Sequence, residues 1–163
     1  MSIKQALLIE LEREKDNTLR VINNLVENKF DYKPHVKSMT LGQLANHVVE
    51  LHNWIHIALT SDSFDLHTDY KPYTFTTVAD LSAALENDYV KNKEVIGQLD
   101  EAEYMKTWTL KAGAHVIASV PKAAALRFIV TNHLIHHRGQ LTVYMRLLDI
   151  PVPGIYGPSA DDK

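Results

Sequence analysis

Four long segments carry apolar residues at helical spacing, each bounded by residues that start or stop a helix, and this pattern constrains the fold more than any other feature. In the first, Leu8, Leu11, Leu19, Ile22 and Val26 share a face, and Ser2 with Gln5 forms a capping box, which predicts a helix from about Ile3 to Glu27. The second opens at Thr40 with Gln43 as another capping box, carries Leu41, Leu44, Val48, Leu51, Ile55 and Ala58, and ends near Ser61. A Thr77/Asp80 cap starts the third, Val78 to Leu99, with Leu81, Leu85, Val95 and Leu99 on its inner side. The fourth begins near Pro121, whose missing N–H costs nothing in a first turn, and continues to Leu148 before Pro151 and Pro153 forbid extension. The expected architecture is an all-α, up-down four-helix bundle, one domain over 1–163.

The connections are less regular. Phe30 to Lys37 contains Pro34 and reads as a link. Asp62 to Phe75 lacks a period but carries Phe64, Tyr70, Tyr73 and Phe75; it either covers the end of the bundle or lines a site. Thr107 to Leu110 and His115 to Val120 look extended around Ala112-Gly113, a short hairpin or irregular excursion before the last helix.

Composition removes several function classes. The 163 residues suit one core, and no apolar run approaches the roughly 20 residues of a membrane span. The mixed charges of Met1 to Lys15 are unlike a signal peptide. There is no cysteine, so disulfides, thiolate ligands and cysteine nucleophiles are excluded, and a cytoplasmic location is expected. With a net charge of −3 and no adjacent Lys/Arg pair, a nucleic-acid partner is disfavoured.

Nine histidines remain to be explained. On a 100° wheel, His137 lies about 40° from His133, and Gln140 about 20° to the other side. Leu126, Ile129, Val130, Tyr144, Leu147 and Leu148 fall within about 60° of His133, so the two histidines are expected on the apolar face. A buried imidazole with no partner costs on the order of 1–3 kcal/mol. A shared metal ion would satisfy both, since i, i+4 spacing lets two imidazoles converge. The bland alternative is a pair bonded to polar neighbours. His136 is expected at the stripe's edge, as a surface or supporting residue. Candidates for a third ligand lie on the second segment, where His47 and His52 flank the apolar stripe on opposite sides and geometry does not choose between them. His52 with His56 reads as a solvated face.

Asn132-His133-Leu134-Ile135-His136-His137-Arg138-Gly139-Gln140-Leu141 resembles the last-helix motif of the DinB/YfiT-like family, and Ser38 to His47 resembles its second-helix motif. The tail Pro153-Gly154-Ile155-Tyr156-Gly157-Pro158 is also similar. The resemblance implies a four-helix bundle, often dimeric, hence a homodimer. It implies one divalent metal ion per chain on His47, His133 and His137, with Zn²⁺ or Ni²⁺ ahead of Fe²⁺, Co²⁺ or Mn²⁺. It also implies activities that include thiol-dependent transfer and metal-dependent hydrolysis.

Three neutral histidines leave a coordination position open, as in catalytic sites, where an ion lowers the pKa of water or a thiol. The expected partner is a small-molecule substrate, with a thiol as one candidate. HExxH, Glu-x-x-His, a phosphate loop and G-x-S-x-G are all absent. No general base declares itself. Gln140 and Tyr156 are expected either to reach the site or to serve structure, and Arg138 to lie off the buried stripe, binding a carboxylate or a partner subunit. The rival readings are a non-catalytic bundle that uses metal as a staple, sensor or store, and an interaction module whose histidines bind nothing.

Overall fold

The computed structural model describes residues 2–162; Met1 and Lys163, the ends of the expected 1–163 domain, lie outside the described residues. Three helices are α1 (Ile3–Asn23), α2 (Leu41–Thr60) and α3 (Val78–Gln98). The fourth, α4, is one rod in three stretches: a turn at Lys122–Ala124, a π-helix at Ala125–Thr131 and an α-helix at Asn132–Leu147. Both capping boxes form, Ser2 with Gln5 and Thr40 with Gln43, and Thr77 caps α3 by accepting from the Asp80 N–H. α1 stops at Asn23, short of the expected Glu27, and Glu27–Lys29 makes a separate 3-10 turn. No helix among the described residues is long and apolar enough to cross a membrane.

The all-α expectation needs correcting. A three-stranded sheet closes one end: β1 (Ser63–Asp65) runs parallel to β2 (Thr107–Ala112), which pairs antiparallel with β3 (His115–Pro121). The hairpin before α4 was expected, but β1 comes from the segment read as loop. Ala112 pairs with His115, so Gly113 and Ala114 form the turn, with Gly113 at φ +61°. Trp108 anchors β2 in the core, and its indole N–H donates to Ser61 Oγ at 3.3 Å.

Hydrogen bonds between elements also correct the helix directions. Lys4 at the start of α1 reaches Gly97 at the end of α3, and Glu27 beyond the end of α1 accepts from Val78 N–H at the start of α3. The buried Lys122 ammonium, opening α4, donates to the Leu59 carbonyl near the end of α2. Tyr144 near the end of α4 meets Met39 just before α2. Thus α1 and α4 point one way and α2 and α3 the other: up-down-down-up, not up-down-up-down. Parallel α2 and α3 require a chain return between them. Residues 66–77 make that crossover, climbing back along α2, where Tyr73 N–H bonds Glu50 and Phe75 N–H bonds Asn46.

The core fills the space between the helices with Ile22, Leu44, Val48, Leu51, Leu81, Leu85, Leu134, Leu141 and Met145. In α4 the buried stripe is Leu134, Arg138, Leu141 and Met145, centred about 110° from His133. The wheel set it on His133 because it carried the α-helical angle through Leu126–Val130 and counted Tyr144, Leu147 and Leu148 as core, though Leu147 is exposed and the other two are only partly buried. There the chain is π-helical, with wider i→i+5 turns that shift the phase. The histidines therefore lie at the margin of the core, where a solute can reach them.

Candidate metal centre

α2 supplies His47, whose side chain is 12% exposed, and α4 supplies the half-buried His133 and His137 one turn apart. The imidazole rings form a triangle with centroids 5.0 Å (His47–His133), 4.7 Å (His47–His137) and 4.6 Å (His133–His137) apart. One ring nitrogen from each lies within 4.8 Å of the others, an arrangement that can hold a metal ion.

The hydrogen bonds fix which nitrogens face the centre. His47 Nδ1–H donates to Glu50 Oε1 at 2.7 Å, and His137 Nδ1–H donates to Gln140 Oε1 at 2.7 Å. In a neutral ring, each bond places the one proton on Nδ1 and leaves the Nε2 lone pair outward. His47 Nε2 and His133 Nε2 stand 3.3 Å apart. Two nitrogens each about 2.0–2.1 Å from one tetrahedral ion stand about 3.3–3.4 Å apart, so the His47–His133 pair has the spacing of two ligands of one divalent metal. Burial, joined by the electrostatics of His137, His47 and His136 and opposed by Glu50, pushes the pKa of His133 down to about 4. Burial, then His47 and His136, lowers that of His137 against the Gln140 bond. Both stay neutral at pH 7, the form that ligates.

The other expected residues divide. Gln140 is exposed and positions His137, the structural role of the two weighed for it. His136 is exposed, its ring 5.0 Å from that of His137. Tyr156 does not reach the triangle. Its hydroxyl donates to Glu14 Oε2 at 2.7 Å and accepts from Arg138. Arg138 is 1% exposed, on the buried stripe rather than off it, although the expected carboxylate partner exists: Glu14, at 2.5 Å. His52 is fully buried rather than solvated, its Nε2 accepting from Thr18 Oγ1 at 3.1 Å.

The sequence reading missed Glu50. It is 3% exposed, and Oε1 accepts from His47 and from the Tyr70 hydroxyl at 2.7 Å, while Oε2 accepts from Tyr73 N–H at 2.9 Å. The available signal was its i, i+3 spacing from His47, which places both on one face of α2. Trp54 completes the wall, with its ring centroid 6.0 Å from that of His133 and 6.1 Å from that of Tyr70. The crossover thus lines the back of the site instead of covering an end.

A family model described as the DinB family matches residues 1–163. The chain belongs to the DinB family. A relative in Bacillus subtilis (strain 168), the uncharacterized protein YrdA, is 28% identical over 152 residues, 93% of this chain and 86% of that protein. Crystal structures of two DinB-like proteins share the fold, each with a TM-score of 0.71. The first, from Bacillus subtilis, is 19% identical and covers 94% of this chain and 99% of its own. The second, from Bacillus cereus ATCC 10987, is 20% identical, with coverage of 93% and 97%.

Proposed function

We propose that this DinB-family chain holds one divalent metal ion on the Nε2 atoms of His47, His133 and His137 and uses it to transform a small molecule, as a hydrolase or thiol transferase. The observation that carries the reading is the convergence of three imidazoles from two helices, two of them oriented through Nδ1 by Glu50 and Gln140. Hydrogen bonds among the rings do not satisfy all three lone pairs, because two of the Nδ1 protons are already committed elsewhere. Zn²⁺ and Ni²⁺ suit an imidazole set best; Fe²⁺, Co²⁺ and Mn²⁺ are compatible. Such an ion supplies Lewis acidity toward water or a thiol at a position the protein leaves open. The half-exposed margin supports access by substrate, and the protein's part is to fix the imidazoles and, at His133 and His137, to favour the neutral form.

The test is the visible spectrum of Co²⁺-substituted protein with azide, acetohydroxamate or a small thiol added. The reading predicts a shift in the d–d bands that saturates with ligand. An unchanged spectrum with all three would mean a closed site, and the metal would then be a staple.

A further inference from the structure

Glu50 is a buried carboxylate whose one basic neighbour is His47. Among the described residues no Lys or Arg lies within ion-pair distance; its partners are His47, the Tyr70 hydroxyl and the Tyr73 amide. Both oxygens act only as acceptors, the behaviour of an ionised carboxylate. Elsewhere the same chain buries a carboxylate, Glu14, against a guanidinium, Arg138. Buried charge is ordinarily paired, so the missing countercharge at Glu50 needs a source. The side of the His47 ring opposite Glu50 is where its Nε2 faces His133.

We propose that Glu50 is the positioning residue of the metal centre, supplying the anion that a dication neutralises through His47 and tying metal occupancy to the crossover at Tyr70 and Tyr73. This rests on the metal reading above and adds a role and a linkage to it. Geometry sets the role: the Nδ1–H bond to Glu50 keeps the His47 proton off Nε2 and fixes the ring plane. The linkage follows because the same carboxylate holds the Tyr73 amide at 2.9 Å. A ring clamped by metal on one nitrogen clamps Glu50 through the other, and Glu50 in turn the crossover.

Glutamine cannot substitute cleanly. Its single oxygen can accept from His47 and Tyr70, but its NH₂ would then face the Tyr73 N–H, donor against donor. The experiment uses the full chain and Zn²⁺, with affinity read by chelator competition and amide exchange read residue by residue. Glu50→Gln is expected to weaken Zn²⁺ binding 10- to 100-fold, the usual cost of losing an outer-shell partner. In the unaltered protein Zn²⁺ is expected to slow exchange at the Tyr73 amide, a readout that needs no variant to fold. Zn²⁺ affinity within threefold of wild type in folded Glu50→Gln would overturn the positioning role, and unchanged exchange at Tyr73 would overturn the linkage. Wild-type protein that takes up no stoichiometric metal would instead overturn the metal reading itself.

Discussion

Adjacent residues on α4, His137 and Arg138, open onto two polar clusters built on opposite principles. On the Arg138 side the opposite charges meet, and the one orphan is the Nδ1 of the buried His52. The guanidinium donates to Glu14 Oε2, the Glu14 carbonyl, Thr18 Oγ1 and the Tyr156 hydroxyl, and Thr18 donates to His52. On the His137 side like faces like: imidazole nitrogens of the same kind converge, with a carboxylate behind them that, among the described residues, meets no Lys or Arg. A buried network that pairs its own charges joins helices, here α1 to α4 and to the C-terminal tail. One that does not is completed by something from outside. Burial alone does not separate these cases, since the more deeply buried cluster is the structural one.

The sharpest way to break this comparison is to disable the structural cluster and ask whether the metal centre notices. Arg138→Met leaves the Glu14 carboxylate buried without its cation, and removing one partner of a buried pair costs about 3–5 kcal/mol. A large drop in denaturation midpoint is expected, with metal content per folded chain unchanged at neutral pH. Loss of metal from folded Arg138→Met would show that the clusters act as one.

Acid gives the next largest effect. Burial, aided by Arg138, holds the pKa of His52 down at about 3, against an unfolded value of 6.5. A depressed folded value contributes stability that is complete above about pH 6.5 and lost as pH falls toward 3. At about pH 4.5 the His52 contribution has fallen by about 2–3 kcal/mol. Urea unfolding of metal-free protein against pH should show the decline, and His52→Gln should flatten part of it. An equal slope in that variant would locate the sensitivity elsewhere. His133 and His137 are lowered in the same direction, so metal should persist below the free-imidazole range and leave as pH falls from about 6 toward 4.

Tyr156→Phe should have the smallest effect. It removes one hydroxyl from the Glu14–Arg138 pair at a partly exposed position, about 1 kcal/mol by chemical denaturation, with Zn²⁺ affinity unaffected. A measurable fall in Zn²⁺ affinity would move the tail into the site.

Much of this was legible in the sequence because it is local. Ser2 with Gln5, Thr40 with Gln43 and Thr77 with Asp80 mark helix starts within four residues, and Pro151 marks an end, so no distant contact was needed. The triangle of His47, His133 and His137 was named from the resemblance, while spacing alone left His47 and His52 unresolved. What escaped depends on tertiary partners. β1 is three residues long, too short to show alternation, and exists because β2 lies beside it. The parallel course of α2 and α3 leaves no mark on either helix. The π-helical stretch of α4 and the apolar but exposed Leu147 together misphased the wheel, which hid the burial of Arg138 and put Gln140 on the wrong face. Glu50 was missed because its three donors come from α2 itself and from a crossover with no period of its own.

The central claim is most directly tested by elemental analysis of untagged protein purified at neutral pH, with His133→Ala beside it and folding checked by circular dichroism. The account predicts close to one divalent ion per wild-type chain and none in the folded variant. A wild-type chain that stays metal-free after reconstitution, or a variant that keeps its full complement, would contradict it.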